Sequence, residues 1–136
     1  MPISFGHKIT AVDQEAFHTL DKVIMGEAFR LHNQLGRFAD ERAYQDGLAL
    51  RSRTNHMEVH REVQVKVTHK DFCKPYYLDM LVQSGAIYEI KVVERLTDQH
   101  RSQLLNYLLL TGVNHGKIIN FGSTSVEYEF VSTQLS

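Results

Sequence analysis

Ile87-Tyr88-Glu89-Ile90-Lys91-Val92-Val93 is the stretch on which the fold turns. Side chains alternate along a strand. Tyr88, Ile90 and Val92 therefore share one face, and Ile87, Glu89, Lys91 and Val93 the other. Apolar residues stand on both faces, the pattern of a central strand covered on both sides. Two charges in the middle of such a strand are costly unless something compensates them.

The preceding residues supply the rest of the argument. Residues 76–82 read as a second strand, and Gln83-Ser84-Gly85 suits a three-residue hairpin loop with the glycine in the left-handed conformation. In that register Val82 faces Ala86 and Asp79 faces Glu89, with Cβ atoms roughly 4.5–5.5 Å apart. Two carboxylates so placed repel each other, and a bound divalent cation removes the penalty. Mg²⁺ or Mn²⁺ suits a few carboxylate oxygens and retained waters. Lys91 falls beside the same site, where an ammonium can orient a water and stabilise charge on a phosphate. Alone, Glu89 and Lys91 read equally well as an ion pair on an edge strand. The opposed Asp79 favours the metal reading, and a two-residue loop would put Asp79 out of phase.

Outward from this hairpin, apolar residues at Phe17, Leu20, Ile24, Ala28, Leu31 and Leu35 predict a helix over 13–35, with Asp13 as N-cap and Gly36 after its end. A second helix is expected from about 39 or 40 to 51, burying Ala43, Tyr44 and Leu48. Residues 62–67 alternate as a half-buried strand, and 86–93 as the central one. A helix over 97–110 has Thr97 as candidate cap and Gly112 beyond its end. Residues 117–121 and 126–131 read as closing strands. The order predicts an α/β domain spanning 1–136, a mixed sheet flanked by helices.

Composition narrows the function classes. The chain has 136 residues, 43% hydrophobic, enough for one core without staples. Fifteen Lys and Arg against sixteen Asp and Glu give a net charge of −1, which argues against a basic coat protein of nucleic acid. The single cysteine, Cys73, has no internal partner, so a reducing cytoplasm is the expected setting. No apolar run approaches the ~20 residues of a membrane span, and the first ten residues lack the order of a signal peptide. His56 and His60 are four apart without the H-E-x-x-H order, so they do not read as zinc ligands. His69, His100 and His115 read as surface or capping residues, with His100 also within reach of the site. Arg51, Arg53, Arg61, Lys66, Lys70 and Lys74 could meet a phosphate backbone but read first as a solvated face.

Asp79, nine residues, then Glu89-Ile90-Lys91 resembles the signature of the PD-(D/E)xK nuclease superfamily. More closely, the chain resembles its small GxxExxY family. It carries His32-Asn33-Gln34-Leu35-Gly36, then Glu41-Arg42-Ala43-Tyr44, the two strand motifs, Gln103 to Tyr107, and Gly116 to Phe121. Phe38 and Ala39 stand where that family usually has glycine and an aromatic residue. The resemblance implies a restriction-endonuclease-like core and Mg²⁺- or Mn²⁺-dependent hydrolysis of phosphodiester bonds, in DNA. Asp79, Glu89 and the Ile90 carbonyl would hold the metal, joined by Glu41. Lys91 would be the catalytic lysine, supported by Gln103, with Tyr107 one turn on. A symmetric homodimer is an admissible assembly for cutting duplex. The rival readings keep the fold without catalysis, as a nucleic-acid-binding module or as a regulatory interaction protein.

Overall fold

The computed structural model describes residues 3–134. Nine elements follow in order: β1 (Ile3–Phe5), α1 (Gln14–Leu35), α2 (Glu41–Thr54), β2 (Val59–His69), β3 (Phe72–Val82), β4 (Ala86–Lys91), α3 (Asp98–Thr111), β5 (His115–Asn120) and β6 (Glu127–Ser132). The strands form one sheet in chain order, antiparallel throughout except for the parallel pair β4–β5, which α3 connects. The expected mixed sheet flanked by helices is therefore what forms.

The helices start where the sequence caps them. Asp13 accepts from Ala16 N at 2.7 Å, and Asp40 from Ala43 N at 2.8 Å. Each satisfies an amide that the first helical turn leaves without a partner. Gly36 and Gly112 close α1 and α3 at positive φ, where glycine avoids the Cβ clash. The apolar stripe of α1 packs with Tyr44 and Leu48 of α2 onto Met80, Tyr88, Ile90 and Phe121 of the sheet. Leu104 and Leu108 of α3 cover the other face, against Leu81, Ile87 and Ile118. β4 is covered on both sides, as its composition requires. Glu27, held by Arg30, Arg51 and Asn55, ties α1 to α2, and these partners pull its carboxyl down to about 2.

Several expectations need correction. β1 was not foreseen, β2 and β3 are longer than their alternating segments, and β4 ends at Lys91 rather than Val93. Ala43 is exposed. Tyr44 and Leu48 are buried as expected, joined by Gln45 and Ala49. His115 is fully buried rather than a surface residue. In the β3–β4 loop the left-handed residues are Gln83 and Ser84, at φ 53° and 54°, not Gly85. Gly85 serves a different need. A Cβ there would lie 2.2 Å from Val12 Cγ2 and 2.6 Å from Thr10 O, because the segment leading into α1 crosses the turn. The loop still has three residues, so Val82 pairs with Ala86 and the register holds.

The β2–β3 hairpin changes face halfway along. Val59, Met80 and Val82 pack against α1 and α2, whereas Val63, Val65 and Leu78 pack against α3. Residues two or four apart should share a face, so both strands must rotate between these positions. The rotation falls at Glu62, a non-glycine residue at φ 52°, opposite Asp79. Left-handed backbone at such a residue costs about 1–2 kcal/mol, and here it re-aims Asp79.

Candidate active site

Asp79 and Glu89 meet where regular pairing of β3 with β4 stops. The ladder runs from Val82–Ala86 to Met80–Tyr88. At the next pair the side chains take over. Asp79 N donates to Glu89 Oε2 at 2.8 Å, and Ile90 N donates to Asp79 Oδ2 at 2.7 Å. Each carboxylate thus satisfies an amide released by the kink. Asp79 Oδ1 and Glu89 Oε1 have no hydrogen-bond partner among the described residues.

The electrostatics are those of an acidic pair that Lys91 and Arg61 only partly compensate. Glu89 is only 3% exposed. Burial pushes its carboxyl well above the usual carboxylate range, and the charge of Asp79 adds to the push. Burial also raises Asp79, against the pull of the Ile90 amide, and Glu41 raises it further. Burial and like charge thus favour the protonated form of each carboxyl, and a bound cation would oppose both effects. Two hard oxygen donors on opposed strands, each with an oxygen to spare, fit a small divalent ion that keeps some of its waters.

Lys91 lies two residues beyond Glu89 on the same face, and its Nζ donates to Gln103 Oε1 at 2.9 Å. This fixes an otherwise flexible ammonium beside the carboxylates. Tyr107 follows one turn later on α3. Burial first, then the charges of Glu89 and Asp79, push its phenol up to about 12, so it stays protonated and can donate. His100 is a capping residue, accepting from Thr97 N at 3.0 Å.

Glu41 opens α2 and is exposed. Among the described residues no three His, Cys, Asp or Glu side chains are gathered as a metal cluster, so Glu41 is not brought in beside Asp79 and Glu89. Its charge is nevertheless felt at both. Gln45, which the sequence did not single out, and Arg61, read there as part of a solvated basic face, make the link. Gln45 Nε2 donates to Glu41 Oε1 at 3.1 Å, and Arg61 Nη2 donates to Gln45 Oε1 at 2.7 Å. Arg61 Nε reaches the main-chain oxygen of Asp79 at 3.3 Å. A polar residue at a buried helical position, as Gln45 is, was the available signal. Ile90 buries its side chain in the α1–α2 core.

Asn120, also overlooked, clamps the end of β4. It is fully buried, accepts from Val93 N and Gly122 N at 3.0 and 2.9 Å, and donates to Val93 O at 3.0 Å. Gly122 permits this approach, since a Cβ there would lie 2.5 Å from Val93 O. Asn120→Ala is expected to lose about 2–4 kcal/mol through unpaired buried amides and carbonyls, read as a lower midpoint in urea unfolding.

A family model described as the PD-(D/E)XK nuclease superfamily matches residues 18–131. No curated protein matches the chain. A solved structure described as "Crystal structure of SSO0001" superposes with a TM-score of 0.53 at 14% identity, covering 86% of this chain and 67% of that one. At that identity the likeness speaks for the fold.

Proposed function

This chain belongs to the PD-(D/E)XK nuclease superfamily, and from that premise we propose that it is a Mg²⁺- or Mn²⁺-dependent nuclease of the GxxExxY type, acting on DNA. Its six-stranded mixed sheet with helices on both faces is consistent with a restriction-endonuclease-like core. Residues 1–136 then form one catalytic domain working in the cytoplasm. Among the described residues no helix is long and apolar enough to cross a membrane.

The observation that carries the reading is the pair of buried Glu89 and half-buried Asp79 beside the Lys91–Gln103 hydrogen bond. In this reading Asp79 and Glu89, with the Ile90 carbonyl, hold the ion, which supplies Lewis acidity toward a phosphate oxygen. Lys91 offers its ammonium to the charge that grows on the phosphate and orients the attacking water. Gln103 keeps Lys91 in that direction. Glu41 adds negative charge at the edge, set in place through Gln45 and Arg61.

The test uses calorimetry and labelled DNA. Wild type should bind Mn²⁺ and cleave, and Asp79→Ala should do neither. If wild type with Mg²⁺ or Mn²⁺ leaves single-stranded, duplex and branched DNA intact, the activity is wrong. One observation favours a second reading, a nucleic-acid-binding or regulatory protein without catalysis: Glu41 stands apart from the other two carboxylates. Metal-independent DNA retention that survives Asp79→Ala would mark that case.

A further inference from the structure

The face change at Glu62 and Asp79 turns the outer half of the β2–β3 hairpin, residues 63–78, into an arm beside the catalytic face. Its charge differs from that of the rest of the chain. The arm holds Lys66, Lys70 and Lys74 against Asp71, a net +2, so the remaining residues carry −3 of the total −1. The arginines of the body are largely consumed by ion pairs. Arg30 and Arg51 hold Glu27, Arg42 and Arg61 hold Asp46, and Arg101 holds Asp98 and Glu129. None of the three arm lysines forms an ion pair among the described residues, and all three are exposed.

Aromatic residues accompany them. Phe72, on the same face of β3 as Lys74 and Tyr76, is more than half exposed. Lys74 Nζ lies 5.1 Å from the ring centre of Tyr76, which meets Tyr107 edge-on with ring centres 6.0 Å apart. Tyr107 shares α3 with Gln103, which holds Lys91. A track of cation, ring, phenol, amide and ammonium therefore runs from the arm to the carboxylates. Asp79 lies five strand steps beyond Lys74, roughly 17 Å at the rise of a β-strand.

We propose that this arm is the binding site for a single-stranded segment of nucleic acid, with Lys74 and Lys70 on its phosphates and the exposed ring of Phe72 on its bases. Unpaired lysines suit phosphates, and exposed rings suit unstacked bases, which a duplex does not offer. The proposal rests on the nuclease reading for its direction, since the track ends at Lys91. Its test does not need cleavage.

The experiment measures binding of a fluorescein-labelled single-stranded oligonucleotide, and of its duplex, to the full chain in EDTA across a salt series. Wild type is compared with Lys70→Ala, Lys74→Ala and the double variant. Lys22→Ala, an exposed α1 residue, is the control. The single strand should bind more tightly than the duplex. Each arm substitution should weaken binding several-fold and reduce the slope of log K against log salt by about 0.7, the value for one phosphate of a single strand. Lys22→Ala should leave the slope unchanged. Arm variants that bind like wild type, or a wild type that binds neither oligonucleotide, would overturn the proposal. Preference for duplex with a slope change of about 0.9 per lysine would overturn the single-strand assignment. Arm-dependent binding without cleavage in Mg²⁺ or Mn²⁺ would keep the arm and remove the nuclease.

Discussion

Glu89→Gln is expected to be more stable than wild type in EDTA and inactive in Mg²⁺. Glu89 is buried beside Asp79, and burial and like charge hold its carboxyl far above the usual range. The amide is nearly isosteric. Its oxygen can still accept from Asp79 N, and its NH₂ can donate to the Asp79 carboxylate, so a repulsion becomes a hydrogen bond. Removing one poorly compensated buried charge should add about 1–3 kcal/mol at neutral pH, roughly 3–10 °C in Tm for a chain of this size. On the proposed function the same change would remove a metal ligand, so cleavage should fall by at least about 100-fold.

The pH dependence gives this prediction a sign. A carboxyl whose folded pKa is raised binds more protons in the folded state. Its favourable contribution is complete below the unfolded value near 4.5 and is lost as pH rises through the raised folded value. Metal-free wild type should therefore lose stability across that window, and Glu89→Gln should lose less of it. Thermal melts from pH 4 to 8 in EDTA would show the two curves separating as pH rises. Parallel curves would mean that Glu89 is already compensated, and the case for a metal at this pair would weaken.

The sequence was most readable where a short-range rule decides the outcome. The meeting of Asp79 with Glu89 is read from strand alternation and a loop of three residues; the loop and the register hold as far as Met80–Tyr88, and at Asp79 side-chain hydrogen bonds replace the ladder. The alternation of Val63, Val65 and Val67 was equally plain, because all three are buried. Other features depend on distant parts of the chain. Gly85 is required by the crossing of Thr10 and Val12, so its local reading as a left-handed turn residue failed. The three residues of β1 gain their partners from β2 and have no periodic pattern of their own. Nothing local marks Glu62 for left-handed backbone, since glutamate rarely adopts it. Arg61 looks like any surface arginine until α2 and β3 are brought together around it.

Asp21 shows a signal that was present and passed over. It falls one helical turn after Phe17 and three residues before Ile24, within the stripe that α1 buries. A carboxylate there requires partners, and the sheet supplies them. Tyr88 OH donates to Asp21 Oδ1 at 2.6 Å, and Lys117 Nζ to Oδ2 at 2.5 Å. Tyr88 is fully buried and Lys117 only 7% exposed. Burial and the Asp21 charge push the Tyr88 phenol well above its ordinary value, so it remains the donor. Tyr88 is also the residue before Glu89, on the opposite face of the same strand, so this cluster pins β4 to α1.

Asp21→Ala is therefore expected to cost about 3–5 kcal/mol, because it strands a buried ammonium and a buried phenol together. Asp21→Asn should cost less, since it keeps an acceptor for Tyr88 and loses only the countercharge. The decisive comparison is the double variant Asp21→Leu with Lys117→Met, which removes both charges and retains apolar volume. Apolar replacement of a buried ion pair is often neutral or stabilising, so the double variant should recover most of what Asp21→Ala loses in urea unfolding. If it does, the pair is a structural anchor whose cost when broken comes from the orphaned lysine, and cleavage per folded molecule should stay near wild type. If the double variant remains as unstable as Asp21→Ala, the Asp21–Tyr88 hydrogen bond carries the energy. Glu89 would then depend on α1 through that single phenol, and cleavage should fall in both variants even well below their melting temperatures.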